Sequence, residues 1–520
     1  MLDWRITLSL HLSQSVLAVE RYRERGDWPM MGSIIAQVLK RHADRPMLSD
    51  ASVTLTAADL DARAESLAQV LTARYQPGER IIFFMRNRIE FVVLQLACER
   101  AGLVRVPVNR LYTCGEVARI CEAAQPAALF YDDDTAARVT DLPQGPWRCS
   151  VDEAAWRDLL DSDLAVDLPD VAPDALCSLN FTSGTTGQPK GVMMSHANWA
   201  AVYTNMLVDR DMRADDKFIH IGPLTHASGA YIAPNLIRGA ENILVDMRKP
   251  ADLFAAIERH RATVFSCVPT VLTRIIADDS RHDYDLSSLR RVIYGAEAIP
   301  PNTLRGALDF FGPILVQNYG LTEAMMTVCF QSEADHARDG ANCIGRPYSF
   351  VEVVMRDEHG LAVLEGEVGE LTIRGGQVMQ GYWQMPDATQ AILKDGWLWS
   401  GDLAVRDPDG CVRLVGRAKD LVISGGFNIY PPEVEAWFCS VTGVTEAAIF
   451  GLPDAEWGEK LVAVVACEPS VTVQALRDRA KAELGYKAPK LIELRPALPR
   501  TANGKIDKNA LKEEMLTNGN

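Results

Sequence analysis

Between about residues 80 and 320, short apolar β-branched runs alternate with helical patterns, and this alternation constrains the chain more than any other feature. RIIFFM (80–85), AALFYD (127–132), LCSLNF (176–181), NILVDM (242–247), ATVFSCV (262–268), RVIYG (291–295) and ILVQNYG (314–320) read as buried strands. Stretches between them, such as EVARICEAA and DLFAAIERH, carry apolar residues at helical spacing, and Asp252 is the expected N-cap of the second. Strands joined by helical crossovers pair in parallel, so the order predicts an α/β fold with ligands at the carboxyl ends of strands. After residue 340 shorter alternating strands follow: FVEVVMRD, GELTIRG and LAVRDPDGCVRLVG, the last folded back at Asp407-Pro408-Asp409-Gly410. A separate antiparallel or barrel-like unit is expected there, and the polar stretch 416–420 is the expected boundary before a last α+β portion.

Composition limits what such a fold does. With 520 residues and 48% hydrophobic content the chain is expected to form several globular domains, and no apolar run approaches the roughly 20 residues of a spanning helix. A formal charge of -16, from 53 Lys and Arg against 69 Asp and Glu, excludes a general nucleic-acid binder or a protein held on anionic lipid by charge. It leaves room for a local basic pocket. The 11 cysteines form no CxxC pair, and they read as buried thiols of a reduced, cytoplasmic protein. The first 30 residues lack a signal-peptide pattern and read as a peripheral extension or a mis-assigned start.

The segment most informative about chemistry is Leu179 to Gly191, a strand that runs into small hydroxyls, glycines and a lysine. Glycines let backbone N–H groups close on phosphate oxygens, hydroxyls add donors and lysine adds charge, so Thr182, Ser183, Gly184, Thr185, Thr186, Gly187 and Lys190 make a candidate polyphosphate cradle. It is not a Walker loop, because Pro189 stands where the spacing from Gly184 would need the glycine.

TSGTTGQPKG, YGLTE (319–323), WSGDLA (399–404), GRAKD (416–420) and PRTANGK (499–505), in that order, resemble the signatures of the adenylate-forming superfamily. The likeness covers roughly residues 31–515 and points to its acyl- and aryl-CoA synthetase branch. It implies a large N-terminal domain of two layered α/β subdomains with a β-barrel (31–418) and a small mobile α+β C-terminal domain (419–520), hinged near Lys419. It also implies two half-reactions. A carboxylate attacks the α-phosphorus of ATP and releases pyrophosphate, and the thiol of coenzyme A then displaces AMP.

The resemblance carries over residue by residue. Glu323 would meet anionic phosphates only through a bridging cation, which makes it the candidate Mg²⁺ ligand. Tyr319 would stack on adenine, flanked by Gly320 and Thr322, with Gly295, Ala296 and Glu297 opposite. Asp402 is a suitable acceptor for the ribose hydroxyls, and Arg417 a donor to sugar or phosphate. Lys505 would bring charge to the carboxylate and α-phosphate in the first transition state, while Thr182 and Glu323 complete the catalytic set with His226 beside the carboxylate. Gly425 and Gly426 resemble the loop beside a pantetheine tunnel; Trp457, Lys487 and Lys490 would face the nucleotide of coenzyme A.

For the acid, His226, Tyr231, Cys267, Tyr294, Met325 and Met326 form a mostly apolar candidate pocket that suits an aryl or medium-chain acyl group. Amino-acid-activating relatives place an aspartate near the position of His226, and Thr225-His226-Ala227 has none. An acyl- or aryl-CoA synthetase is therefore expected. The alternatives are a ligase that loads a carrier-protein phosphopantetheine and a non-catalytic nucleotide-binding relative; a homodimer stays open.

Overall fold

The computed structural model describes residues 31–142, 145–182, 189–339, 343–454, 456–500 and 506–518. They gather into two compact units, one ending at Asp246 but completed by Gly375–Thr389, the other made of Met247–Arg374 and the described residues from Gln390 on.

In the first unit, Arg80–Phe84 lies inside a sheet, with Val104–Pro107 parallel on one side and Ala128–Tyr131, then Trp147–Ser150, parallel on the other. Ile81, Ile82, Phe83 and Phe84 are all fully buried, as a strand covered on both faces requires. Helix Ile89–Arg100 is likewise buried over nearly every residue, which its run FVVLQLAC dictates. Helix Cys114–Ala124 begins at a reciprocal cap, Thr113 accepting from the Glu116 N–H while Glu116 accepts from Thr113. Leu176–Thr182 extends the sheet beyond Val104–Pro107 and turns back as Lys190–Ser195, so that Thr182 pairs with Lys190 at the closed end of a hairpin. A second sheet of this unit sets Lys217–His220, Glu241–Leu244 and Pro46–Ser49 in parallel, with Thr54–Thr56 antiparallel at its edge.

The second unit opens with parallel strands Val264–Cys267, Arg291–Gly295 and Leu315–Leu321, the first two followed by helices Pro269–Ala277 and Pro301–Phe311. From there pairing turns antiparallel through Ala324–Gln331, Cys343–Pro347, Val412–Arg417, Trp397–Arg406, Gly369–Arg374 and Glu352–Arg356. Among the described residues these pairings run in the order 315–321, 324–331, 343–347, 412–417, 397–406, 369–374 and 352–356. The turn at 407–410 forms as expected, with Gly410 N–H donating to Asp407 O and Asp407 N–H to Cys411 O, 2.8 Å each.

The last portion is a sheet in which Gly458–Cys467 pairs antiparallel with Val444–Asp454 and parallel with Leu491–Arg495. Alternate residues face two cores: Ile449, Leu461 and Ala463 pack with Val434, Phe438 and Leu476, whereas Phe450, Val462 and Val464 pack with Leu498 and Leu511. Each buried Phe or Leu contributes roughly 1.5–3 kcal/mol over its exposed state.

Two expectations are corrected. The cap of helix Pro250–His260 is Lys249; Asp252 is the third helical residue, and its carboxylate reaches back to the N–H groups of Arg248 and Lys249 at 2.9 and 3.0 Å. Pro250 at the first position, where its missing N–H costs nothing, moves the start forward. Nor are all cysteines free thiols: Cys343 and Cys411 form a disulfide, Cα atoms 6.5 Å apart, because Cys343 pairs with Arg413 across two neighbouring strands. No described helix is long and apolar enough to cross a membrane.

Candidate active site

In the first unit, the hairpin 176–195 presents Thr182 and Lys190 at the two ends of the candidate phosphate loop. Lys190 Nζ rests 5.0 Å from the centre of the Tyr382 ring, which orients the cation without neutralising it. Ser183, Gly184, Thr185, Thr186 and Gly187 lie outside the described residues, as does Lys505.

His226 is exposed, Nδ1 3.0 Å from Thr225 Oγ1, on a loop that enters the short 3-10 turn Ala227–Tyr231. The loop is tied on both sides of it. Asn87 Nδ2 donates to Gly222 O at 2.8 Å, and Asn87 Oδ1 accepts from Leu224 N–H at 2.9 Å. Ser228 Oγ lies 3.0 Å from Nδ1 of His220, whose Nε2 is 2.9 Å from Asn242 Oδ1. Asn242 Oδ1 also accepts from Asn235 Nδ2 at 2.9 Å. The two limbs touch so closely that a Cβ on Gly229 would stand 2.0 Å from Leu224 O, which no side chain tolerates. Tyr231 faces inward, its phenol accepting from Arg210 at 3.0 Å and its ring stacked on Phe218.

In the second unit, the end of strand 315–321 meets the strand pair 397–406 and 412–417. Tyr319 donates its phenol to Asp402 Oδ2 at 2.5 Å, and Arg417 Nε is 2.9 Å from Asp402 Oδ1. Asp402 and Arg417 are register partners, so the ladder itself sets this ion pair. Asp402 is 5% exposed and Arg417 about half exposed, so the carboxylate is aimed from a sheltered position while its partner reaches solvent. Burial, then the adjacent Asp402 charge, hold the Tyr319 phenol well above its usual range, so it remains a donor.

Gly295 ends strand Arg291–Gly295, Ala296 and Glu297 follow it, and Ala296 adopts a left-handed φ of 73°. Glu297 accepts from the Thr270 N–H at 3.0 Å and from its hydroxyl, which ties this segment to the start of helix Pro269–Ala277. Gly320 is the last residue but one of strand 315–321; Thr322 and Glu323 form the tight turn into Ala324–Gln331. Among the described residues no group of three or more His, Cys, Asp or Glu could cage a metal ion. One carboxylate in a turn fits Mg²⁺, which binds through one or two carboxylates and substrate phosphates while keeping waters.

Cys267, Tyr294, Met325 and Met326 are buried at the carboxyl ends of strands 264–267 and 291–295 and at the start of strand 324–331. Met326 has φ 56°, a strained value for a side-chain-bearing residue and a frequent mark of functional sites. Tyr294 commits its phenol to His336 Nε2 at 3.0 Å and Gln317 Oε1 at 3.3 Å, so only its ring remains for apolar contact.

In the C-terminal portion, Gly425 N–H donates to Trp457 O at 2.9 Å, and with φ 59° a Cβ there would press on the indole at 2.9 Å. Lys490 Nζ lies 4.1 Å over the Trp457 ring; Lys487 pairs with Glu433. Gly426 follows in the same left-handed region, and Lys419 is exposed in the 3-10 turn Ala418–Asp420. An aromatic face with an adjacent ammonium suits a purine nucleotide bearing phosphates.

Sequence reading missed Phe427 and Tyr486, rings 4.7 Å apart and each more than half exposed. Their signal was adjacency, Phe427 next to Gly426 and Tyr486 next to Lys487. It also missed Asn87, His220 and Asn242, for which no motif gives a signal.

Residues 35–383 match the family model described as AMP-binding enzyme, and residues 433–505 that of the AMP-binding enzyme C-terminal domain. The chain is 33% identical over 512 residues to the medium/long-chain-fatty-acid–CoA ligase FadD8 of Mycobacterium tuberculosis, covering 92% of this chain and 89% of that one. It is 35% identical over 496 residues to a feruloyl-CoA synthase of Amycolatopsis, covering 94% and 99%. Among solved structures, the amide bond synthetase McbA from Marinactinospora thermotolerans superposes with a TM-score of 0.86 at 30% identity, over 94% of this chain and all of that one.

Proposed function

The chain belongs to the AMP-binding enzyme family and is an AMP-forming carboxylate–CoA ligase; from that premise we propose that its acid is an aryl or medium-chain acyl carboxylate and that the residues above divide the work as follows. The observation that carries the reading is the sheltered carboxylate of Asp402, oriented by Tyr319 and Arg417. An ionised acceptor whose own partners fix it is what two adjacent ribose hydroxyls require.

ATP, Mg²⁺ and coenzyme A complete the reaction. In the first half, a carboxylate oxygen of the acid forms a bond to the α-phosphorus while the bond to pyrophosphate breaks. Thr182 and Lys190 hold phosphate oxygens, His226 holds the acid's carboxylate, and Glu323 holds the metal, which would neutralise phosphate charge. Lys505 stabilises charge at the α-phosphate. In the second half, the sulfur of coenzyme A bonds to the acyl carbon and AMP leaves. Trp457, Lys490 and Lys487 receive the nucleotide of coenzyme A, and the backbone at Gly425 and Gly426 leaves room for its thiol arm.

Residues 31–418 then act as the adenylation domain and 419–520 as the mobile one, pivoting at Lys419. Support comes from the 3-10 turn at 418–420 between two folded portions. The names of two relatives, a fatty-acid–CoA ligase and a feruloyl-CoA synthase, support the acid class and coenzyme A over a carrier protein.

The test is a panel of benzoate, ferulate, octanoate and dodecanoate, scored by pyrophosphate release with and without coenzyme A. A thioester product with at least one acid is expected. Acyl transfer only to a phosphopantetheinylated carrier would overturn the acceptor. Lys505→Ala should cut adenylation roughly 10²–10³-fold, as for a lost oxyanion donor, yet still convert supplied acyl-AMP to thioester. Equal loss in both half-reactions would refute the division between domains.

A further inference from the structure

We propose that Asn87, Ser228, His220 and Asn242 are positioning residues that hold the loop 222–229 in one conformation, and so set where His226 meets the acid. The inference rests on the reading of His226 as the carboxylate contact.

A loop whose tip must hold a charged group at fixed distance loses that ability if its limbs breathe, since a displacement of about 1 Å can cost 10²-fold in rate. Here both limbs are tied by neutral side chains. Asn87 acts as a staple: its amide N–H satisfies the carbonyl of Gly222 and its carbonyl satisfies the N–H of Leu224. Inside the loop, His226 N–H donates to Pro223 O at 3.1 Å and Gly229 N–H to His226 O at 3.0 Å.

The second tie has a direction. Asn242 turns its Nδ2 toward the carbonyls of Met47 and Ile232, 3.5 Å each, so its Oδ1 accepts. The proton of His220 therefore sits on Nε2 and points at Asn242, leaving Nδ1 bare to accept from the Ser228 hydroxyl. Burial keeps this imidazole neutral, lowering its pKa to about 4. Asn242 and His220 are fully buried, and Asn235 and Ser228 nearly so. A buried polar chain in which each group finds its partner specifies one arrangement over its neighbours, at a cost an all-apolar core would avoid. That cost is incurred at Ser228, two residues from the exposed histidine.

The experiment compares Ser228→Ala and Asn87→Ser with wild type, using the best acid of the panel above. Either variant should raise the KM for the acid about tenfold, the scale of one lost hydrogen bond, while AMP binding measured by calorimetry stays within twofold. In a His226→Ala background, Ser228→Ala should add less than twofold, since the tie has no tip left to place. An unchanged acid KM in both variants, a parallel loss of AMP affinity, or full additivity with His226→Ala would each overturn the proposal. Asn87→Ser reports on the opposite limb, so misfolding of one variant leaves the other decisive. If His226→Ala alone leaves the acid KM unchanged, the reading of His226 fails; a Ser228→Ala effect would then show a tie that serves another loop group.

Discussion

Two of the polar constellations in this protein are built on opposite principles. In the second unit Tyr319, Asp402 and Arg417 join a phenol, a carboxylate and a guanidinium, with Arg417 reaching solvent. In the first unit Ser228, His220, Asn242 and Asn235 are neutral and buried, joined only by dipoles. A charge keeps its strength toward an incoming ligand, so the first arrangement serves binding. A chain of neutral groups has no long reach but one geometry, so the second serves placement. Polar networks in an enzyme are therefore to be sorted by charge and shelter, not by their distance from the chemistry.

The sharpest way to separate the two is acid. The unfolded chain protonates histidine near 6.5, whereas burial lowers His220 to about 4 in the folded state. Native protein thus binds fewer protons than unfolded protein between those values. Stability from this group is complete above about pH 6.5 and is lost as pH falls toward 4, by about 3 kcal/mol in all. His196, fully sheltered at the start of helix His196–Asp209 and lowered to about 4 by burial and then by Arg105, adds a loss of the same sign. Denaturant titrations from pH 7 to 4 should show the wild type losing about 3 kcal/mol more than His220→Gln. Parallel curves would mean that the buried chain is not held neutral.

Removing the charge from the other constellation should be felt in binding. Asp402→Ala is expected to weaken AMP by roughly 10- to 100-fold, the value of 1.5–3 kcal/mol for a charged hydrogen bond, measured calorimetrically without the acid. Wild-type affinity would reduce Asp402 to a turn residue. A smaller effect is expected at Tyr319→Phe, which deletes only the donor to Asp402 and should cost AMP about fivefold, with acid KM unchanged. If this variant moved the acid instead, the contrast between the two networks would collapse.

The same contrast explains what the sequence disclosed. Strands such as Arg80–Phe84, Arg291–Gly295 and Leu315–Leu321 and the turn at Asp407–Gly410 follow from apolar periodicity and turn residues that stay recognisable out of context, whereas the pairing of Asp402 with Arg417 comes from the register of two strands. His220 reads as an ordinary core histidine until the strand Glu241–Leu244 brings Asn242 beside it from 22 residues away. Asn87 meets Leu224 across 137 residues. No local pattern encodes such meetings. The Cys343–Cys411 pairing was hidden for the same reason, since a register between strands, not a spacing, brings it about. Asp252 shows the converse: a correct residue assigned to the wrong cap position because Pro250 moved the helix start.

The return of Gly375–Thr389 to the first unit bears on how the protein is made. Gly381 and Tyr382 pair with Met193 and Val192, Trp383 N–H donates to Gly191 O, and Asn198 Nδ2 donates to the carbonyls of Gly376 and Val378. A ribosome adding about 5–20 residues per second must complete roughly 130 further residues after Asp246 before this segment emerges. Counted over the 186 residues from Ser195 to Gly381, the hairpin that carries the phosphate loop waits for roughly 9 to 37 seconds with an open edge at Lys190–Ser195, a template for any other unpaired strand. Nascent chains stalled near residue 300 should associate through that edge, and chains stalled past residue 430, which have released the segment from the tunnel, should not.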